Sequence, residues 1–325
     1  MVGHHAHHED RPQAVERQKP TLAVRHRPGV WHSGRATWRC GLLVSVPQVI
    51  ERGGDAGRLY HVGFGADDLP AGTTIALLSG DPGRSELIAT DHLADMRVLS
   101  RNRGLDGFAA KLPGGAPVVC ATSGMGAPSM SIVVNELVQA GIRTIIRIGT
   151  SGSVQEHVAI GSVVIPSGAL TNQGAAQDIA PAEFPSVADP FLTVAIAAEA
   201  ARLGVDHHIG VVASSDTFFE GQERSGSSAN PTLLRRLRGM IDEYHDLGIL
   251  SFEMETGTLF KMGVVYGFDA AAVLGIIAQR NEAEQPDLTA KDAAIDNAIR
   301  VAVASADSWS RGDRAQGAVR GHSRD

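Results

Sequence analysis

Cysteine, aromatic residues and long apolar runs are all scarce in this chain, and each shortage removes a class of protein. Two cysteines, Cys40 and Cys120, among 325 residues cannot build the disulfide framework of a small secreted domain. The chain opens with no apolar signal-peptide core, so the cytoplasm is the compartment expected. Its longest apolar run, near Ala270 to Ala278, is about half of what a membrane helix needs, and no membrane span is expected. Aromatics make up only 5% against 37 glycines, which points to an aliphatic core joined by tight turns. No G-x-G-x-x-G opens a helix after the first strand, which argues against a dinucleotide-binding dehydrogenase.

What is present is uneven. Residues 1–60 hold nine Lys/Arg against five Asp/Glu, while the remainder holds 20 against 31. An acidic main body argues against a nucleic-acid partner. The first segment carries His4, His5, His7 and His8 and then Arg, Pro and Gln without a sustained helical or strand period. A metal-binding tract is one reading of it. A disordered extension over 1–58 is the reading preferred, since nothing nearby supplies rigid support for a metal, and no metal site is expected. A short tail, 311–325, is expected to be disordered as well.

From about Leu59 strands and helices alternate, with ordered structure expected to begin between Leu59 and Thr73. Apolar runs at Thr74–Leu78, Pro117–Thr122, Thr144–Ile148, Ser162–Ile165, Ile209–Ala213 and Ala271–Ile277 read as strands. Met130, Val133, Val134, Leu137 and Val138 share one helical face, with Pro128 in the first turn and Gly141 at the C-terminal end. Further helices are expected at about 190–203, 255–266 and 289–307. Such alternation without a linker predicts one α/β domain over 59–310, a mixed central β-sheet flanked by helices.

Ligands of open α/β sheets sit beyond the carboxyl ends of strands, so the residues just after each run carry the chemistry. Gly80 with Arg84, Gly124 to Gly126, and Arg147 with Thr150-Ser151-Gly152 combine glycine with cations and hydroxyls, a set suited to an anion. A single arginine is more often a solvated surface charge. Arg147 differs, because it lies inside Ile145-Ile146-Arg147-Ile148, and an arginine in a buried strand needs a partner anion. Arg103 is a further candidate. Phe218, Gln222 and Arg224 place an aromatic face, an amide and a guanidinium within seven residues, which suits a flat heterocycle. In Phe252-Glu253-Met254-Glu255 two carboxylates precede an apolar helix. They fit either helix-start acids or one carboxylate on a sugar diol, and spacing does not decide which faces a ligand.

These runs together resemble the nucleoside phosphorylase family, most closely its bacterial branch acting on uridine. The matching stretches are Tyr-His-Val-Gly-Phe (60–64), Ser-Gly-Asp-Pro-Gly-Arg (79–84), Arg-Ile-Gly-Thr-Ser-Gly (147–152), residues 213–224 and Phe-Glu-Met-Glu-Thr (252–256). The resemblance implies reversible phosphorolysis of uridine to uracil and ribose 1-phosphate by a pentosyltransferase. Phosphate would be a co-substrate, and no cofactor would be needed. Gly80, Arg84, Arg147 and Thr150 resemble the family's phosphate-holding groups, and Arg103 the arginine contributed by a neighbouring subunit. Met254 and Glu255, with Glu253, Ser151 and Gly152 beside them, resemble the nucleoside site, with Glu255 on the 2′ and 3′ hydroxyls. His61 resembles the neighbouring subunit's residue near the 5′-hydroxyl. Phe218, Gln222 and Arg224 resemble the base pocket, and Ile277 and Ala278 its apolar wall. Gln222, Arg224 and Arg147 are the expected catalytic groups.

The family suggests a homohexamer, a trimer of dimers with shared active sites. Purine-cleaving members carry an aspartate near the position of Gln279, absent here, and Gly104 stands where some members hold a potassium-binding glutamate. The alternatives are a purine phosphorylase, a nucleosidase of the same fold, and a non-catalytic nucleoside-binding protein.

Overall fold

The computed structural model of the chain describes residues 57–280 and 288–312, and all of them fall in one compact unit. Most of the expected extension, its histidine tract included, lies outside the described residues, as does the tail after Gly312. The last residue assigned to the extension, Arg58, is described and pairs with Asp68 at 3.5 Å.

Among the described residues nine strands and seven α-helices follow, beginning with β1 (Ile75–Ser79), α1 (Pro82–Asp91), β2 (Ala94–Ser100), β3 (Gly107–Lys111), β4 (Pro117–Thr122) and α2 (Ala127–Gln139). After these come β5 (Thr144–Ser153), β6 (Val163–Thr171), α3 (Gly174–Ile179), α4 (Pro190–Arg202) and β7 (His207–Ser214). The last are α5 (Met240–Asp246), β8 (Ser251–Glu253), α6 (Thr256–Tyr266), β9 (Asp269–Gln279) and α7 (Leu288–Ser310).

The strands form one mixed sheet in the order β2-β3-β4-β1-β5-β8-β7-β6-β9, with β9 pairing back onto β5. Strands β5, β8, β7, β6 and β9 therefore close into a ring, and β1 to β4 extend from it as an open arm. Successive residues of the central strands face opposite sides, and both sides are packed. Ala76 and Leu78 of β1 join the apolar layer built with α2 and α6, whereas Ile75 and Leu77 join the layer built with α1, α4 and α7. This double burial is why β1, β5 and β9 read as continuous apolar runs.

Strand β1 stops at Ser79, opposite Ile148, while β5 continues and takes β8 as a new neighbour at Gly152 and Ser153. The partner change opens a crevice beyond Ser79, between the carboxyl ends of parallel strands, where ligands of such sheets bind. A bulge in β9 lies beside it. Ser151 faces Ile276 and Gly152 faces Ala278, so Ile277 is the extra residue and turns its side chain partly outward.

Candidate active site

Three strand ends converge on the crevice. Arg147 projects from β5 on the α2 and α6 side, almost fully buried. Its Nη2 is hydrogen-bonded to the Glu255 carboxylate, and its Nε lies 3.8 Å from Glu253. Among the described residues Nε and Nη1 have no hydrogen-bond acceptor. A side chain at Gly149 would press within 3.3 Å of the same guanidinium, and one at Gly80 within 3.3 Å of the Gly124 carbonyl. These glycines leave room for Arg147 and for whatever its free nitrogens bind.

Arg84 enters from the first turn of α1, whose N-cap, Asp81, accepts from the Arg84 backbone N–H at 3.0 Å. Burial holds the Arg84 guanidinium below its ordinary value; Asp81 opposes that shift, and the like charge of Arg147 adds to it. Among the described residues nothing is bonded to the Arg84 guanidinium. Two cations whose charges act on each other, with glycine-bearing turns beside them, make a place chemically suited to an anion. Thr150 lies three residues beyond Arg147 on β5, half-buried and paired with Gly275.

The two carboxylates of the 252–256 stretch separate in role. Glu253 ends β8 and starts α6: its Oε2 accepts from the backbone N–H groups of Glu255 and Thr256 at 2.8 and 2.7 Å, and its other oxygen from Ser214. Both of its oxygens are thereby engaged in holding the strand–helix junction, not in facing the crevice. Burial and then the charge of Glu255 push the Glu253 carboxyl above the usual carboxylate range, against the pull of Arg147 and Ser214. Glu255 instead joins Arg147 to α2, accepting from the Gly126 N–H at 2.6 Å. Gly126, at φ 85°, holds a backbone conformation that favours glycine. Met254 lies between them, its carbonyl accepting from the buried Gln173 amide at 2.5 Å. Ser151 is buried, its hydroxyl donating to the Phe252 carbonyl.

On the other flank Glu223 adopts a left-handed conformation at φ 53°. Its carboxylate turns away to accept from the N–H groups of Gly239 and Ile241 at the start of α5, so Gln222 and Arg224 meet side by side. Arg224 Nε donates to Gln222 Oε1 at 3.4 Å, and its guanidinium stacks 4.2 Å from the Phe218 ring centroid. Gln222 and Arg224 are buried, while Phe218 is 46% exposed. Gly152 underlies Arg224, and Ala278 and Ile277 follow along the neighbouring strand.

His61 and Arg103 are not joined to these groups; they make a cluster of their own. Arg103 Nη2 donates to the Tyr60 hydroxyl at 2.8 Å, its guanidinium 5.0 Å from the Tyr60 ring centroid, and Asn102 donates to the carbonyls of Tyr60 and His61. Arg101, its near neighbour in sequence, is neutralised by Glu86 and Asp106, which leaves Arg103 as the cation of that turn without a carboxylate among the described residues. The His61 ring bonds to Glu136 on α2, ten residues beyond Gly126, or roughly 15 Å along a helix rising 1.5 Å per residue.

Gln173, Glu136 and Arg280 do not stand out in the sequence. Arg280 sits one residue after β9, where the strand-end rule points, and its Nη2 donates to the Gln222 carbonyl at 2.5 Å. Glu136 shows as an acid beside an apolar helical face. Gln173 carries no local signal, because its contacts with Met254 and Thr258 are long-range. Among the described residues no group of three His, Cys, Asp or Glu could hold a metal, and no helix is long and apolar enough to cross a membrane.

Residues 74–307 match the phosphorylase superfamily. Over 249 residues, 76% of this chain and 96% of the relative, the sequence is 39% identical to the uridine phosphorylase of Escherichia coli (strain K12). It is 32% identical to the uridine phosphorylase of Thermococcus kodakarensis across 74% of this chain and 84% of that one. It is 29% identical to the guanosine phosphorylase of Halorubrum lacusprofundi across 61% and 76%.

Proposed function

The chain belongs to the phosphorylase superfamily, and from that premise we propose that it catalyses the reversible phosphorolysis of uridine to uracil and ribose 1-phosphate. It is a pentosyltransferase. The observation that carries the reading is the pair Arg84 and Arg147 beside Gly80, where a Cβ would lie 3.9 Å from Arg147 Nη1, with Nε and Nη1 of Arg147 unbonded among the described residues. Orthophosphate satisfies both guanidinium groups. Water, the co-substrate of a nucleosidase, would leave the Arg84 guanidinium and these two nitrogens of Arg147 without an anion.

In this reading phosphate rests on Gly80, Arg84, Arg147 and Thr150, beneath C1′ of the ribose. Glu255 accepts from the 2′ and 3′ hydroxyls, beside Met254. Because Glu255 also touches Arg147, phosphate and ribose meet through one ion pair, which fixes the approach of the nucleophile. The glycosidic bond breaks ahead of bond formation. Positive charge grows on the ribose, where phosphate and Glu255 stabilise it, and negative charge grows on the uracil oxygens, where Arg224 and the Gln222 amide donate. Phe218 covers the ring, and Ile277 and Ala278 wall the pocket. Gln222 and Arg224 match a pyrimidine base. Gln279, whose amide donates to the Val158 carbonyl at 2.9 Å, is not an acid that could protonate a purine.

His61 and Arg103 serve a neighbouring copy, the chain working in the cytoplasm as a homo-oligomer of symmetric pairs, three pairs to a hexamer. What supports this is the length of α2 between Glu255's partner Gly126 and His61's partner Glu136. Incubation with uridine, with and without phosphate, tests the reaction: uracil and ribose 1-phosphate are expected only with phosphate. Uracil released equally fast without it would replace the phosphorylase by a hydrolase.

A further inference from the structure

Glu136 is a buried carboxylate on α2 to which the reaction, as drawn above, gives no part. It is 8% exposed, and among the described residues its ionisable partner is the His61 ring. Three donors from two consecutive residues converge on it. Oε2 accepts from the backbone N–H groups of His61 at 3.0 Å and Val62 at 2.8 Å. Oε1 lies 2.6 Å from the His61 Nδ1 and 3.2 Å from the His61 backbone nitrogen. The segment ahead of β1 is thus pinned to α2 at the residue whose ring has to reach another molecule. The ring itself remains one-third exposed beside a surface cavity of about 650 Å³ that Ser131, Asn135, Gln139 and Tyr266 also line.

We propose that Glu136 is a positioning residue that sets the His61 tautomer and thereby the chain's preference for a nucleoside bearing a 5′-hydroxyl. The inference rests on the reading of His61 as the residue facing that hydroxyl in a neighbouring copy's site. A carboxylate only accepts, so Nδ1 carries the proton it donates to Glu136. In the neutral ring the other nitrogen, Nε2, then has a free lone pair directed outward, and it accepts from the 5′ O–H. The two backbone N–H groups at Oε2 make the arrangement directional. In Glu136→Gln they draw the amide oxygen to the Oε2 position, which leaves the NH₂ at the Oε1 position, facing Nδ1. The amide then donates to Nδ1, the proton moves to Nε2, and the outward nitrogen no longer accepts.

The test compares kcat/KM for uridine and for 5′-deoxyuridine in the parent oligomer, His61→Ala, Glu136→Gln and the double variant. The uridine-to-5′-deoxyuridine ratio is expected to fall about tenfold in His61→Ala, the size of one lost hydrogen bond. It is expected to fall similarly in Glu136→Gln, and no further in the double variant. A ratio unchanged in Glu136→Gln but lowered in His61→Ala overturns the positioning role and leaves His61 where it was placed. Equal losses on both substrates in Glu136→Gln mean that the carboxylate only holds the fold together, and overturn it too. A ratio unchanged in His61→Ala removes His61 from the 5′-hydroxyl, and the proposal with it. Should Glu136→Gln be insoluble, Glu136→Asp, which withdraws the acceptor by one methylene, is expected to show the same selective loss, and its absence there counts against the proposal.

Discussion

Two arginine-bearing clusters in this protein are built in opposite ways. Arg147, Glu253 and Glu255 are each at most 5% exposed and lie at the junction of three strands and two helices. Arg103 and Tyr60 are exposed, held by a hydrogen bond and a ring contact on a turn and on the segment ahead of β1. In the first cluster, charge is tolerable only because opposite charge and backbone N–H groups meet it inside the same chain, so removing one member strands the others. In the second, water solvates what the fold does not pair, and removing a member leaves nothing stranded. Groups proposed for one site can therefore be structural in one place and expendable to the fold in the other.

The sharpest way to break that comparison is to remove one arginine from each cluster. Arg147→Ala is expected to lower kcat/KM on uridine by at least about a thousandfold and to cost about 3–5 kcal/mol of stability, because Glu253 and Glu255 are left buried and uncompensated. Arg103→Ala is expected to be nearly as inactive yet to melt within about 0.5 kcal/mol of the parent, as befits an exposed side chain. Calorimetry separates the two, and an equal loss of stability in both would erase the distinction. Co-expressing the two variants at equal levels sharpens it. In a mixed pair one site collects both lesions and the other neither, so random pairing leaves about a quarter of the sites intact. Activity near a quarter of parental supports a shared site. A mixture as dead as its components, with mixed pairs shown to form, places Arg103 outside the neighbouring site.

Arg224→Ala tests a buried group that is not part of the Arg147 ion pair. Its expected cost is about 2–4 kcal/mol in kcat/KM on uridine, the range for one donor to a developing anion. Inosine is expected to remain a poor substrate for the parent, and inosine turned over as fast as uridine would reverse the pyrimidine assignment.

The smallest effect is a pH dependence inside the buried cluster. Glu253 holds its proton more tightly when folded than its ordinary value of 4.5, chiefly through burial. Its contribution to stability is therefore complete below about pH 4.5 and is lost as pH rises through the folded value. Glu253→Gln lacks that proton equilibrium. The parent's melting temperature is expected to fall relative to the variant's as pH rises above 4.5 in phosphate-free buffer. A difference that moves the other way would mean that Arg147 outweighs burial at this carboxyl.

The strands with two buried faces were legible in the sequence, because β1, β4, β5 and β9 must be apolar on both sides. So was α2, whose buried stripe sets its period. Strand β2 escaped notice because its first five residues are exposed, and β8 because it is only three residues long and takes its hydrogen bonds from β5 and β7. The closing of β9 onto β5 has no local signature, being a pairing between residues more than a hundred positions apart.

The site divides along the same line. Glycines, arginines and carboxylates near strand ends can be read residue by residue, since only certain side chains suit an anion or a flat base, but the apolar runs do not fix where those ends fall: β5 runs past Ile148 to Ser153, so Thr150, Ser151 and Gly152 lie inside it. Which of Glu253 and Glu255 caps the helix and which faces the crevice was decided by tertiary structure. So were the fate of Arg101 against Arg103 and the capture of His61 by Glu136. Each of these depends on what a distant part of the chain places within hydrogen-bond reach, and burial then makes an unmet partner too costly to keep.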